Sequence, residues 1–103
     1  MPTLKIGMYN FENEIMKSEK TVLLDFFAGH CPSCKTISPI IEKISDENPQ
    51  YLIGKVNVDE EPELTLKFGI SSVPTLVAIK NGKVLSRSSG VKTKEKILSM
   101  LKD

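Results

Sequence analysis

The sequence predicts an α/β domain in which a central mixed five-stranded sheet is flanked by four helices. Three observations point there. Segments with strand and helix patterning alternate from the N-terminus onward. Thr21 to Phe27 (TVLLDFF) is a nearly continuous apolar run, the pattern of a strand covered on both faces. Asn81-Gly82 separates two strand-like runs, a strong two-residue hairpin signal. Strands that alternate with helices and then close in a hairpin give a mixed sheet with helices on both faces.

Thr3 to Gly7 is a short strand candidate, and Asn10 reads as the N-cap of a short helix whose apolar stripe is Phe11, Ile15 and Met16. The helix after Cys31 places Ile37, Ile40, Ile41 and Ile44 on one face at i, i+3, i+4, i+7, with Pro39 inside it as a source of bending. Tyr51 to Val58 reads as a strand, and Glu61 to Phe68 as a short helix stopped by Gly69. Thr75 to Lys80 and Lys83 to Ser88 form the hairpin. Thr93 to Leu101 closes the chain as a helix capped by Thr93, with Ile97, Leu98 and Leu101 facing inward. Phe11, Phe68, Asn57 and Asp59 are read as packing or turn residues.

No repeat, low-complexity tract or linker divides the 103 residues, so residues 1–103 form one expected domain. Lys plus Arg is 14 and Asp plus Glu is 13, a net charge of +1 with no basic cluster, which argues against a polyanionic partner such as nucleic acid. Met1 to Asn10 lacks a basic start followed by an apolar stretch, and no apolar run approaches the roughly 20 residues of a membrane span. A cytoplasmic location is therefore expected. Thiols are kept reduced there, so the two cysteines are read as catalytic or metal-binding rather than as a permanent staple.

Cys31-Pro32-Ser33-Cys34 follows the buried strand and opens the amphipathic helix. Pro32 falls at the first helical position, where its missing N–H does no harm. Cys31 then falls at the N-cap, where its sulfur can accept from the amides of Ser33 and Cys34 and meets the positive end of the helix dipole. Both effects favour the thiolate, which is the nucleophile. Cys31 is thus expected to attack a substrate disulfide, and Cys34, one turn further in and more buried, to resolve the mixed disulfide. A closed zinc site needs four ligands, and the chain holds two Cys and one His, with His30 adjacent to Cys31. Two unrelated buried cysteines would not explain the strand–CxxC–helix context.

DFFAGHCPSCKTISPI resembles the strand, redox site and Pro-bearing helix of the thioredoxin family, and KVNVDEEPELTLKFGISSVPTLVAIKNGKVL resembles the strand, helix, Val-Pro-Thr loop and hairpin that follow. Ser88-Ser89-Gly90 fits the family's glycine loop beside the active site. The resemblance implies the thioredoxin fold and gives further residues a role. Asp25, the one acid in TVLLDFF, matches the family's proton acceptor below the resolving cysteine, and burial would raise its pKa. Lys55 matches a family lysine and is either the ion-pair partner of Asp25 or a modulator of it; the two can be one interaction. Val73-Pro74 would be trans by default for an X-Pro bond, but the resemblance implies cis. It also implies that the Val73 main chain pairs with an extended substrate strand. Gly29, Val73, Pro74 and Gly90 would border a shallow substrate groove, with His30 and Pro32 flanking the attacking sulfur.

The motif departs from the family's familiar Trp-Cys-Gly-Pro-Cys: it is His-Cys-Pro-Ser-Cys, in a chain without tryptophan. His30 is either a titratable neighbour of the attacking sulfur or an exposed loop residue. With Pro-Ser in place of Gly-Pro, the Ser33 amide is available to the N-cap sulfur. A better stabilised thiolate makes the couple more oxidising. Against roughly −270 mV for thioredoxins and −200 to −230 mV for glutaredoxins, the expected potential is intermediate. The resemblance implies a protein disulfide reductase that holds no cofactor, and a single chain is expected because no apolar surface stripe is left over for a dimer. It would act on disulfide-containing proteins and be recharged by a separate reductase, flavin- or ferredoxin-linked. The alternatives are glutaredoxin-like or isomerase-like exchange at a higher potential, and a binding module that uses the groove without turnover.

Overall fold

The computed structural model describes residues 3–102; Met1, Pro2 and Asp103 of the expected 1–103 domain lie outside that range. The elements are β1 (Leu4–Lys5), α1 (Met8–Phe11), β2 (Thr21–Phe27), α2 (Pro32–Glu47), β3 (Tyr51–Asn57), α3 (Pro62–Lys67), β4 (Thr75–Lys80), β5 (Lys83–Ser89) and α4 (Lys94–Met100). This is the thioredoxin-type order expected from sequence, a mixed five-stranded sheet with four helices.

The N-terminal unit differs in detail. Asn10 is not the N-cap of α1: Gly7 is, and Asn10 stands at the third helical position. Its Oδ1 accepts the Gly7 amide at 2.9 Å, so the side chain satisfies the cap from inside the helix. The helix then widens into a π turn over Glu12–Met16, in which the Lys17 amide donates to the Glu12 carbonyl at 3.1 Å.

The strand order is β1-β3-β2-β4-β5, with β1, β3 and β2 parallel and β4 and β5 antiparallel to their neighbours. Both faces of β2 are buried, and the period of two divides its side chains. Val22, Leu24 and Phe26 join Phe11, Ile15, Val56 and Leu64 on the α1/α3 face. Leu23 joins Ile37, Ile41, Ile44, Ile53 and Ile97 on the α2/α4 face. Asp25 and Phe27 share that second face with Leu23, as does Lys55 with Ile53. Phe68 packs edge-on to Phe11 at 5.7 Å and tilted against Phe26 at 5.4 Å, which accounts for both outer phenylalanines as packing residues. Gly54 is required by close approach, since a Cβ there would lie 2.7 Å from Ile6 and 3.0 Å from Leu24. Asn81 and Gly82 both hold positive φ, 52° and 77°, as the tight turn between β4 and β5 demands.

Register fixes where the chemistry lies. Phe27, the last residue of β2, is level with Asn57, and Phe26 is level with Thr75, the first residue of the antiparallel β4. Thr75 in turn is level with Ser89, the last residue of β5. The segments that follow β2 and β5 and the one that precedes β4 therefore meet at one end of the sheet. Among the described residues six large apolar side chains are exposed, Met8, Tyr9, Leu66, Val84, Leu85 and Val91, spread over α1, α3, β5 and the loop after it. Among the described residues no helix is long and apolar enough to cross a membrane.

Candidate functional site

Cys31 is the N-cap of α2 in extended conformation, φ −116° and ψ 105°, and Pro32 occupies the first helical position as expected. Cys31 and Cys34 are joined by a disulfide, with their Cα atoms 5.2 Å apart. The amide that reaches the N-cap sulfur is that of Cys34, at 3.1 Å. The Ser33 amide, expected beside it, makes no such bond among the described residues: a sulfur already bonded to the next turn is aimed at the third helical amide. Cys34 is the more buried of the two cysteines only narrowly, at 6% exposed against 8% for Cys31. What separates them is what each faces.

Cys31 faces the backbone of the neighbouring loops. Its Sγ lies 3.7 Å from the Val73 carbonyl oxygen, and the Val73–Pro74 peptide is cis, as the family resemblance implies. The Pro74 carbonyl accepts the Gly90 amide at 2.9 Å, with Gly90 at φ 85°. Thr75, buried at the start of β4, donates through Oγ1 to the Ser72 carbonyl at 2.7 Å and lies 3.2 Å from Ser89 Oγ. Cys31, Val73, Pro74 and Gly90 thus form one connected rim, with His30 and Pro32 exposed on the near side. Val73 also lines a shallow recess of about 190 Å³ with Val58, Thr65, Ile70, Ser71 and Ser72, which has no distinct sequence signal.

Cys34 faces side chains. It lines a cavity of about 230 Å³ with Phe27, Ala28, Gly29, Lys35, Ser38 and Lys55. Gly29 therefore lies on this side of the disulfide. Asp25 and Lys55 are directly level on adjacent parallel strands, beneath α2. Asp25 is 1% exposed, and its Oδ1 has no hydrogen-bond partner among the described residues. Burial lifts its carboxyl from 3.8 to about 6; the Lys55 ammonium pulls it down and the Glu42 carboxylate pushes it up. Lys55 forms no close ion pair with Asp25: its Nζ donates to Ser38 Oγ at 3.2 Å and sits 5.1 Å from the Phe27 ring centroid. Ser38 and Glu42 are missing from the sequence-derived site. Their signal was the helical spacing Cys34, Ser38, Glu42, four residues apart and so on one face of α2.

The thioredoxin family model matches residues 2–103. The chain belongs to the thioredoxin family. It is 42% identical to a thioredoxin of Chlorobaculum thiosulfatiphilum over 89 residues, 85% of this chain and 82% of the relative. It is 39% identical to a thioredoxin of Rickettsia bellii over 93 residues, 89% of each chain. A thioredoxin of Mycobacterium bovis is 36% identical over 102 residues, 98% of this chain and 88% of that one. With this thioredoxin-family membership and a Cys-x-x-Cys pair at disulfide distance, the protein is a thiol–disulfide oxidoreductase that reduces protein disulfides.

Proposed function

We propose that Cys31 attacks and Cys34 resolves, with Asp25 accepting the proton that Cys34 must lose. The Cys31 thiolate attacks one sulfur of a substrate disulfide, forming a mixed disulfide and releasing the first substrate thiolate. Cys34 gives its proton to the Asp25 carboxylate and attacks Cys31 Sγ. The bond between Cys31 and substrate breaks, the second substrate thiolate leaves, and Cys31–Cys34 forms. The substrate gains two electrons and the pair loses two. The observation that carries this assignment is the opposite outlook of the two sulfurs: Cys31 lies against the Val73 carbonyl, whereas Cys34 lines the cavity shared with Lys55.

On this reading an extended substrate strand pairs with the Val73 main chain beside Pro74 and Gly90, with His30 and Pro32 around it. The protein works as a single chain in the cytoplasm, carries electrons to disulfide-containing proteins and is recharged by a separate reductase. Two variants test the division of labour. Cys34→Ser accumulates mixed disulfides with substrate proteins on non-reducing gels, and Cys31→Ser does not; the reverse pattern overturns the assignment, and trapping by neither variant supports a binding module.

The potential tests the amide argument. The Cys34 amide would reach an N-cap sulfur equally in a Gly-Pro site, so an intermediate potential depends on the Ser33 amide engaging the reduced Cys31 thiolate. Equilibration against glutathione and dithiothreitol buffers reads this. A value near −270 mV removes the Ser33 contribution, and a value approaching −200 mV supports it and favours the exchange or isomerase role.

A further inference from the structure

We infer that Ser38 is a positioning residue for the resolving step: its hydroxyl anchors the Lys55 ammonium in the cavity under Cys34, where the cation supports formation of the anions that the step requires. The inference rests on the proposed role of Asp25 as the proton acceptor.

Lys55 has two places to put its charge. It lines the inner cavity, with Cys34 and Ser38, and also an outer cleft of about 330 Å³ lined by Thr3, Lys5, Phe27, Asn57 and Glu60. The Glu60 carboxylate in that cleft is an alternative partner; it already lies 3.4 Å from Lys5. A flexible four-carbon stem does not choose between the two by itself. The Ser38 hydroxyl, accepting from Lys55 Nζ at 3.2 Å, selects the inner position. Ser38 is one helical turn beyond Cys34, and the sulfur and the anchored ammonium line the same cavity.

The groups around Asp25 give the effect its sign. From β3 it meets the Lys55 cation, from α2 the Glu42 carboxylate, and on the β4 side its level neighbour is the apolar Leu76. Lys55 is the only one of these that favours the ionised acid. Lys35 lines the cavity from α2, on the Cys34 side. Moving the ammonium outward to Glu60 therefore disfavours both the Asp25 carboxylate and a thiolate at Cys34. The pH at which resolution reaches half its maximal rate then moves up.

The test mixes the reduced protein with 5,5′-dithiobis(2-nitrobenzoate) in a stopped-flow instrument, where release of the second thionitrobenzoate reports attack by Cys34. In Ser38→Ala the midpoint of the pH–rate profile is expected to rise by about half a pH unit, with resolution near pH 6 slowed about threefold, the size of one modest hydrogen bond. Ser38→Thr, which keeps the hydroxyl, is expected to restore the parent profile. In a Lys55→Met background Ser38→Ala is expected to change nothing further, because the anchored cation is gone. A Ser38→Ala midpoint that stays in place or falls overturns the inference, as does a shift that persists in Lys55→Met. Asp25→Asn separates this failure from that of the underlying assignment. If Asp25→Asn moves the profile and Ser38→Ala does not, only the anchoring role fails; if Asp25→Asn leaves it in place, the acceptor role fails and the inference with it.

Discussion

The disulfide has two unlike sides. On the Cys31 side the groups within reach are main-chain atoms: the Val73 carbonyl, and beyond it the Pro74 carbonyl and Gly90 amide bonded to each other. On the Cys34 side they are side chains that carry charge or can lose it, Lys55 and Lys35 around the cavity and Asp25 beneath the helix. Backbone atoms recognise an extended chain of almost any sequence and do not titrate. Ionisable side chains do the opposite: they say little about which chain is bound and set when a proton moves. One short motif can serve both purposes because α2 turns its first cysteine outward to the loops and its second inward over the sheet. Changes on the cavity side should therefore move pH dependence, and changes on the rim should move substrate affinity.

The largest effect is expected from Asp25→Asn, and it carries opposite signs for stability and activity. The folded-state pKa of Asp25 is about 6, above the 3.8 of the unfolded chain, so the folded state holds its proton more tightly. The stability linked to that proton is fully present below pH 3.8 and is lost as pH rises through about 6. At pH 7 the ionised carboxylate then costs roughly 3 kcal/mol, an upper figure. Asp25→Asn is expected to raise the unfolding free energy by up to that amount at pH 7 and by almost nothing at pH 3.5, read from urea melts at the two pH values. The same substitution removes the proposed proton acceptor, and resolution by Cys34 is expected to slow about 10- to 100-fold at pH 7. A stabilised variant of unchanged rate would leave Asp25 as a buried acid with no part in the chemistry.

On the rim, the matching experiment is Gly90→Ala. An added Cβ would find space, its nearest neighbour being Lys92 Nζ at 3.7 Å, so the cost lies in the backbone, which holds φ 85°. A non-glycine residue there is expected to lose about 1–2 kcal/mol of stability. It is also expected to raise KM for a protein disulfide several-fold while leaving the reaction with a small aromatic disulfide, and the midpoint of its pH profile, unchanged. A shifted midpoint would mean that the two sides are coupled through the Gly90–Pro74 hydrogen bond.

The two sides also differ in how far they could be read in the sequence. The order of elements along the chain, the N-cap position of Cys31 and the buried acid of β2 follow from periodicity, Pro32 at the first helical position and one charge in an apolar run. These are local patterns, and local patterns survive without coordinates. The cis Val73–Pro74 bond was legible only through family resemblance, because chain-level propensities favour trans. Lys55 was legible as a neighbour of Asp25 through strand register, but its attachment to Ser38 was not. That bond joins β3 to α2 across the sheet face, and nothing in either segment alone specifies it. The Asn10 cap was misplaced for a related reason: Asn serves equally at the N-cap or, reaching back, at the third position, and only the observed start of α1 at Met8 distinguishes them. Cys34 is the more buried cysteine, as its place in the helix implies, but only narrowly, because the disulfide ties the two residues together at the start of α2.

The smallest effect expected on the rim comes from Thr75→Val. Thr75 is 1% exposed, and its hydroxyl ties the chain before Pro74 to the end of β5, donating to the Ser72 carbonyl and meeting Ser89 Oγ. Valine nearly preserves the shape and removes both contacts. Two considerations keep the cost small. The partner residues Ser72 and Ser89 are exposed, so water replaces the lost bonds, and no buried polar group is stranded. The β4–β5 ladder pairs Thr75 with Ser89 independently of the hydroxyl, so the strand ends stay level. The expected loss is about 1 kcal/mol or less, measured by urea unfolding, with a KM increase below about threefold and no movement of the pH midpoint. A larger KM effect at unchanged stability would show that the rim is held in place mainly by this one hydroxyl. The ladder alone would then be too loose a support, and recognition by the main chain would depend on a side chain after all.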